Sequence, residues 1–214
     1  MTLTNMRTTI KELLAVEGAS SMWEDATLNR MINLAQVWVA ASKPWRILMT
    51  AKTLDDGTVA YQNYYDLPSD YLYGSAFFVK IDTVDYNWVD ELVFRASDFN
   101  TENSYTIHGT YFFIYETPST ASLVIDMYYH KRPVVLSEDT DESILQEELH
   151  EAIIQRTLYL CLKRDKKVNA ALESNNDAKE IIKEVWEMDK KNFRGPKTIK
   201  SILDNFPNYS CSGN

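Results

Sequence analysis

A chain of 214 residues, 45% hydrophobic and 25% charged, can bury a substantial core, and this composition excludes a wholly disordered protein. The formal net charge of −9 argues against nonspecific binding of nucleic acid, because that binding needs basic groups to neutralise phosphates. The sequence has no signal-peptide pattern and no apolar run of about 18 residues, so we expect a soluble protein without a membrane span.

Two helices are predicted at the start of the chain. Apolar residues recur at three- and four-residue spacing over residues 3–17, and Gly18 is the predicted stop. The sequence Ser21-Met22-Trp23-Glu24 has the pattern of a capping box, which predicts that a second helix begins there. This helix is expected to end before Pro44, because the residue before a proline disfavours helical geometry.

Residues 46–133 change from a helical to a strand-like hydrophobic period. Residues 47–52 alternate in polarity, and Asp55-Asp56-Gly57 is a turn signal of the hairpin type. Residues 72–82 are aromatic and β-branched, which predicts a strand, and a shorter strand is predicted over residues 87–93.

The second half of this region contains a predicted hairpin. Residues 105–108 and 111–115 have the composition of strands, and Gly109-Thr110 between them is a turn signal. A polar helical turn is predicted before the hairpin, over residues 94–101, and a last strand is predicted over residues 123–129.

Helical periodicity returns after an acidic loop at residues 137–143. Residues 144–165 and 175–192 each carry apolar residues on one face, which predicts two further helices. The tail, residues 193–214, contains Gly195-Pro196 and many polar residues, and we expect it to be extended.

The order of these elements predicts an α+β protein, in which a helical bundle frame of about four helices carries an inserted antiparallel β-rich subdomain. The predicted segments are the first half of the frame (1–45), the β-rich insert (46–133), the second half of the frame (134–192) and an extended C-terminal tail (193–214). Six basic and twelve acidic residues give the insert a charge of −6, which is most of the net charge of −9.

No arrangement of residues in the sequence predicts a catalytic site. The three histidines, His108, His130 and His150, are not associated with a nucleophile motif such as G-x-S-x-G, and structural or surface roles are expected for them. Cys161 lies in an apolar run and is expected in the core, whereas Cys211 lies in the polar tail. Two such cysteines do not form a disulfide framework, which fits a reducing cytoplasm.

Metal and cofactor sites are not predicted either. Asp139, Asp141 and Glu142 have the oxygen ligands of a hard cation, but the EF-hand spacing is absent and solvated loop charge is the favoured interpretation. No glycine-rich phosphate loop is present. The basic cluster Lys163–Lys167 lies at a predicted helix C-terminus, where cations favour the helix dipole; contact with an acidic partner is the alternative.

Three local patterns follow one another in the chain. The first is Tyr65-Asp66-Leu67-Pro68-Ser69-Asp70-Tyr71-Leu72, and the second is the strand-glycine-strand hairpin of residues 105–115. The third is Ile125-Asp126-Met127-Tyr128-Tyr129 followed by Pro133, an acidic loop and a long helix. In this order, within two helices, an insert, two helices and a tail, they resemble the head-to-tail adaptor proteins of tailed bacteriophages, of the podovirus tubular-neck type.

The resemblance implies a structural virion protein rather than an enzyme, without a cofactor or a metal. It implies a homo-oligomeric ring, dodecameric in this class, that docks on the portal protein, extends the DNA channel and provides a platform for tail or further neck proteins. Viral DNA would pass through the lumen without specific binding, and no membrane would be involved. The implied location is the head-to-tail junction of the virion, after assembly in the host cytoplasm.

Six apolar side chains of the tail are predicted to bind the portal or another partner: Phe193, Ile199, Ile202, Leu203, Phe206 and Tyr209. Spaced apolar residues on an extended segment can become ordered when they bind. Packing of the tail onto its own subunit is the alternative.

Two further functions are compatible with the composition. The aromatic side chains of the insert suit a module that binds a carbohydrate or protein ligand. Its carboxylates suit a hydrolase, although they are scattered and no catalytic pair stands out.

Overall fold

The computed structural model describes residues 1–18, 23–54, 56–75, 77–96 and 102–192. The helices are Leu3–Val16 (α1), Asp25–Ser42 (α2), Glu91–Phe94 (α3), His150–Arg164 (α4) and Val168–Asn192 (α5). The strands are Met49–Leu54 (β1), Tyr64–Asp66 (β2), Phe77–Ile81 (β3), Val84–Trp88 (β4), Ser104–His108 (β5), Tyr111–Ile114 (β6) and Ile125–His130 (β7). Short 3-10 turns precede β1 at Arg46–Leu48 and α4 at Glu147–Leu149.

The long helices pack around α4, which contacts α1, α2 and α5. Residues three and four apart share one side of a helix, and this spacing gives α1 a single apolar face. The buried residues of that face are Leu3, Met6, Ile10 and Leu14. Thr2 caps the helix, because its hydroxyl accepts a hydrogen bond from the Asn5 amide at 3.3 Å.

Trp45 holds the end of α5 against the junction between α2 and β1. Its side chain is fully buried, and its indole N–H donates a hydrogen bond to the Val39 carbonyl at 2.8 Å. The ring packs edge-on against Trp186 with 5.8 Å between centroids. One turn further along α5, the Arg46 guanidinium donates a hydrogen bond to the Asp189 carbonyl at 3.2 Å.

The seven strands form one sheet in the order β1-β7-β3-β4-β5-β6-β2. β1 pairs antiparallel with β7 over its whole length, from Met49 opposite His130 to Leu54 opposite Ile125. The expected antiparallel pairing is wrong at one position, since β4 and β5 are parallel. α3 and the described residues around it separate these two strands, so the chain re-enters the sheet in the same direction.

The core of the sheet is aromatic. Phe77 lies at its centre, with the rings of Tyr71, Tyr105, Phe112 and Tyr129 at centroid distances between 5.4 and 6.5 Å. The edge-on and tilted arrangements of these rings are the ones that the charge distribution of aromatic rings favours. This cluster is separate from the hydrophobic cluster of the helices.

Most predicted elements are present with shifted ends. The predicted α+β class is confirmed, and α1, the end of α2, the β5–β6 hairpin and the strand before Pro133 lie where the sequence placed them. α4 begins at His150 and not at Ile144, because a 3-10 turn precedes it, and α5 begins at Val168, before the predicted Asn175.

The capping-box prediction is wrong about the start of α2. The helix begins at Asp25, and the preceding Glu24 makes no side-chain hydrogen bond to it. The backbone of Glu24 is extended, and Trp23 before it packs against the helical cluster. Ser21 and Met22 lie outside the described residues.

The predicted hairpin at Asp55-Asp56-Gly57 is also wrong. The Gly57 amide closes a turn on the Leu54 carbonyl, but the Thr58 amide then bonds to the Leu123 carbonyl at 2.8 Å. The chain is therefore directed away from β1, and β2 lies at the opposite edge of the sheet.

The strand predicted over residues 87–93 is shifted toward the N-terminus. β4 ends at Trp88, and α3 follows because the Asp90 carboxylate accepts a hydrogen bond from the Leu92 amide at 2.9 Å. Residues 97–101 of the predicted polar turn lie outside the described part of the chain.

The division into frame, insert and tail stays a prediction. The two hydrophobic clusters follow it broadly, but Leu72, from the middle of the predicted insert, belongs to the cluster of the helices. The connection between helices and sheet is therefore made by side chains within the insert as well as at its ends.

Replacement of Trp45 by alanine is expected to lower the free energy of unfolding by about 3–5 kcal/mol, because it leaves a cavity beside Trp186 and removes the indole hydrogen bond to the Val39 carbonyl. Trp88→Ala is the matched control, since Trp88 is 48% exposed, and a loss of about 1 kcal/mol is expected there. Urea unfolding followed by far-ultraviolet circular dichroism measures both. Equal losses in the two variants would contradict the assigned role of Trp45.

Candidate assembly surfaces

The segment Tyr65–Leu72, which carries the first sequence pattern, joins the sheet to the helices. Leu67 and Tyr71 pack against the aromatic core of the sheet, whereas Leu72 is buried among the helices. One short stretch of chain therefore has side chains in both hydrophobic clusters.

Hydrogen bonds fix this segment against the end of β7. The Leu72 amide donates to the His130 carbonyl at 2.9 Å, and the Tyr129 hydroxyl donates to the Asp70 carboxylate at 2.7 Å. The Tyr71 hydroxyl donates to the Ser75 carbonyl at 2.8 Å. The acidic and aromatic residues of the pattern thus have a structural task at the joint.

Burial raises the pKa of four tyrosines around the sheet, which are Tyr65, Tyr71, Tyr86 and Tyr129. At Tyr129 the hydrogen bond to the Asp70 carboxylate raises the pKa further, because a tyrosinate would face a carboxylate. The folded sheet therefore holds these phenolic protons more firmly than the unfolded chain does.

The two edge strands of the sheet border one cavity of about 350 Å³. Residues Lys52–Leu54 of β1 line one side, and all three residues of β2 line the other. The sheet is therefore curled, with its two edges facing each other without forming a ladder. We call this opening the edge slot.

The lining of the edge slot is mixed in polarity. Lys52, Asp56, Gln62 and Asp66 contribute polar groups, and Tyr64, Tyr65 and Tyr111 contribute rings. Strand edges present unpaired backbone groups, which makes them sites for pairing with another chain. The slot is consequently suited to polypeptide backbone as well as to small polar ligands.

Aromatic residues continue from the slot onto the outer face of the sheet. The ring of Tyr64 packs edge-on against Tyr111 at 5.7 Å and tilted against Phe113 at 6.1 Å. Phe113 in turn contacts His108, whose ring nitrogen lies 2.8 Å from the Glu91 carboxylate. We call the surface formed by the rings of Tyr64, Tyr111, Phe113 and His108 the aromatic face.

A second exposed apolar area lies on the helices. The side-chain amide of Asn33 donates a hydrogen bond to the Leu136 carbonyl at 2.9 Å and accepts one from the Leu136 amide at 2.8 Å. The side-chain amide of Gln36 donates to the Val134 carbonyl at 2.9 Å. Their hydrogen bonds fix residues 134–136 along α2, while the side chains of Val134, at 78% exposure, Val135 and Leu34 remain exposed. We call these three apolar side chains the valine patch.

The acidic loop is organised by its own hydrogen bonds. The Asp141 carboxylate accepts the amides of Glu138 and Ser137 at 2.9 and 2.8 Å, and these bonds lower its pKa. Asp139 forms an ion pair with Arg7 of α1. Within the described residues, no three histidine, cysteine, aspartate or glutamate side chains are grouped as a metal site.

The histidines and Cys161 are not arranged for nucleophilic catalysis. His108 is paired with Glu91 on the aromatic face, while the ring of His150 lies 3.1 Å from the Leu145 carbonyl inside the helical region. Cys161 is fully buried as predicted, and burial raises the pKa of its thiol to about 12. A thiol of that pKa is protonated at neutral pH and is a weak nucleophile.

The basic cluster lies at the end of α4, where the sequence placed it, and its interaction with the helix dipole stays a prediction. The Arg164 guanidinium lies 5.2 Å from the centre of the Trp23 ring, and the Lys167 ammonium donates to the Glu17 carbonyl at the end of α1. The Lys163 ammonium donates to the Tyr159 hydroxyl at 3.2 Å. These cations are used within the helical region.

The predicted tail anchors, Phe193, Ile199, Ile202, Leu203, Phe206 and Tyr209, all lie outside the described residues, as does Cys211. Their binding role stays a prediction. None of the helices in the described ranges is both long and apolar enough to cross a membrane.

The edge slot and the valine patch were not predicted from the sequence. The slot depends on the strand order, which the local pattern does not contain. Val134 and Val135 follow Pro133 and resemble core residues in the sequence, and their exposure follows from the hydrogen bonds that hold their backbone on α2. The polar residues Asn33 and Gln36 within the otherwise apolar stretch of residues 31–40 were the available signal.

The described residues form an α+β protein with exposed strand edges and exposed apolar side chains, in which many polar groups make hydrogen bonds or ion pairs within the chain. A family model described as SU10 adaptor protein matches residues 1–199 of the chain. The chain therefore belongs to the SU10 adaptor protein family, a family of phage head-to-tail adaptors, and is a structural phage protein. This confirms the family expected from the sequence patterns; no curated protein matches the chain.

The free energy of unfolding is expected to fall as the pH rises above about 10. The raised pKa values in the folded state mean that this stability is fully present below the unfolded pKa and is lost as tyrosines deprotonate. Tyr129→Phe is expected to reduce the dependence on pH, and Tyr61→Phe, at an 82% exposed position, serves as the control. Urea unfolding between pH 8 and pH 11 tests this, and identical slopes for the wild type and Tyr129→Phe would contradict it.

Proposed function

We propose that the chain forms a closed ring that docks on the portal protein, continues the DNA channel and presents a platform for tail or further neck proteins. The observation that carries this proposal is the match to the adaptor family over residues 1–199. The proposed ring is dodecameric and lies at the head-to-tail junction of the virion.

The exposed surfaces support contacts between copies. A closed ring uses a heterologous interface, in which two different surfaces of one subunit meet in neighbouring copies. The valine patch lies on the helices and the aromatic face lies on the sheet, so two distinct surfaces are available. Exposed apolar patches of this kind are commonly covered by another protein.

The charge of the chain supports a passive channel for DNA. Residues 46–133 carry −6, and several basic residues of the helices are held by aromatic rings or backbone carbonyls. A lumen lined by acidic residues would repel phosphates, so that DNA could move without being held. We propose that DNA passes through the ring without specific binding.

The tail is the proposed portal-binding element. Its apolar anchors begin at Phe193, directly after α5, and extend to Tyr209. Binding of such a segment in a portal groove would join two rings without requiring a large rigid interface. Packing of the tail on its own subunit is the competing possibility.

A ligand-binding module is the second candidate function. The edge slot, with three tyrosine rings beside polar groups and a volume of about 350 Å³, favours it. In that case the protein would bind its ligand as a single subunit and would not respond to a portal.

Mixing the purified protein with portal rings tests the proposed function. We expect the chain, whether monomeric or not when alone, to form a complex of defined mass with portal rings, with a ring of adaptor density at one end. Size-exclusion chromatography with light scattering measures the mass, and electron microscopy of the same fraction shows the ring. A chain that stays monomeric beside intact portal rings under assembly conditions would count against an adaptor function.

Deletion of the residues after Gly195 tests the role of the tail. We expect the shortened chain to unfold cooperatively, as the full chain does, and to bind portal rings at least about tenfold more weakly, because five of the six apolar anchors are lost. Thermal unfolding and titration with portal rings measure the two properties separately. Loss of cooperative unfolding would place the tail in the core of its own subunit, and unchanged affinity would refute the docking role.

A further inference from the structure

We propose that the aromatic face of one copy of this chain packs against the valine patch of the next copy, with Asp66 of the first opposite Arg132 of the second. The contact would form within the proposed ring, and the inference therefore rests on that proposed function. Each surface presents apolar side chains beside one charge, and the two charges are opposite.

An acidic residue borders the aromatic face. Tyr64 and Asp66 lie two residues apart on β2, so their side chains leave the strand on the same side, whereas Tyr65 between them belongs to the core of the sheet. The pairing of β2 with β6 places Asp66 opposite Tyr111 and Tyr64 opposite Phe113. The rings remain open to a partner, since 48% of Tyr64 and 40% of Tyr111 is exposed.

The charge of Asp66 is available to a partner. No ion pair within the described residues includes it. Asp56 and Lys52 line the adjoining edge slot and carry opposite formal charges. Glu91, at the other border of the face, is paired with Arg95. Asp66 is therefore the negative charge that this surface has to offer.

A basic residue borders the valine patch in a similar arrangement. Arg132 and Val134 are exposed, while Pro133 between them is buried. The residue before a proline is extended, and two residues of extended chain span about 6–7 Å. Tyr64 and Asp66 have the same two-residue spacing on β2. Each surface thus presents an apolar side chain and a charge at about the same separation.

Arg132 lies at the end of the patch that is away from the acidic loop. Residues 134–136 run antiparallel to α2, because Gln36 bonds to the first of them and the earlier Asn33 to the last. The acidic loop therefore continues toward the start of α2, and Arg132 lies toward its end. The Arg132 amide is fixed on the Asp70 carbonyl at 2.6 Å, and no ion pair within the described ranges includes its guanidinium.

These charges favour a second copy of the chain as the partner, in a head-to-tail contact. Two aromatic faces, or two valine patches, would bring like charges together, which disfavours a two-fold dimer. An aromatic face against a valine patch brings a carboxylate to a guanidinium, which can bind it through two parallel hydrogen bonds. The apolar side chains around the pair are removed from water in the same contact. Such a heterologous contact closes into a ring.

Charge reversal at the two positions tests the contact in assembly on portal rings. Asp66→Arg and Arg132→Asp each bring like charges together, and we expect either variant alone to form at least about tenfold less ring than the wild type. Light scattering and electron microscopy measure the ring. Glu173→Arg, the same change at an exposed position of α5, is the matched control and should assemble as the wild type does. Urea unfolding shows whether each variant is folded.

An equimolar mixture of Asp66→Arg and Arg132→Asp is expected to recover the ring. In alternating copies each contact joins either two native residues or two reversed residues, so that opposite charges always meet. Alternation closes a ring with an even number of copies, as in the proposed dodecamer. Recovery cannot come from repaired folding, because each variant keeps its own substitution.

Cross-linking on the same portal rings measures the proximity of the two surfaces. Tyr64→Cys combined with Val134→Cys, in a Cys211→Ser background, should give disulfide-linked multimers on oxidation, whereas either cysteine substitution alone should not. The native Cys161 is fully buried and does not compete.

The outcomes separate this contact from the proposed function. Wild-type rings on the portal together with undiminished rings in both charge variants would overturn the contact and leave the adaptor function intact. Loss of the ring in each variant without recovery in the mixture would overturn the pairing of Asp66 with Arg132. A wild-type chain that forms no ring on the portal would refute the proposed function, and the contact with it.

Discussion

The pairing of β1 with β7 is the constraint on which the rest of the structure depends. The chain leaves the helices through β1, which follows α2 and one 3-10 turn, and it returns through β7. Six residue pairs hold the two strands together, from Met49 opposite His130 to Leu54 opposite Ile125. The exit and the return therefore lie side by side, and the segment Tyr65–Leu72 joins the sheet to the helices beside the end of β7. Asn33 and Gln36 extend the attachment, because they hold residues 134–136 along α2.

The elements that could be predicted are those whose signals are local. The β5–β6 hairpin is specified by a glycine between two short apolar runs, and α1 by the spacing of its apolar residues. The partner of β1 is more than seventy residues away in the chain, and no local pattern contains it. The Asp55-Asp56-Gly57 turn illustrates this limit: the turn forms, but the bond from Thr58 to Leu123 decides where the chain goes next.

The surfaces were harder to predict than the fold for a related reason. The pattern Tyr65–Leu72 was recognisable, yet its role at the joint depends on the Asp70 contact to Tyr129, which lies in another element. Val134 and Val135 have the composition of a buried strand, and only the backbone contacts to α2 explain why they are exposed. Exposure depends on long-range packing, so the sequence indicates which residues are apolar but not which of them remain available.

Several charged side chains of this chain have partners inside the subunit, whereas two strand edges and a group of apolar side chains are exposed on its surface. Arg156 lies between the rings of Trp38 and Tyr159 at 4.2 and 4.4 Å, and Arg164 lies over Trp23, so these guanidinium groups are used inside the helical region. Asp141 is similarly used by its own loop. Among the described residues, the apolar side chains of the valine patch are exposed, and the two edge strands of the slot pair with no further strand. Unpaired backbone groups at a strand edge can form hydrogen bonds with another chain, and apolar surface gains free energy when it is removed from water. This is the distribution expected of a subunit whose remaining contacts are made in an assembly.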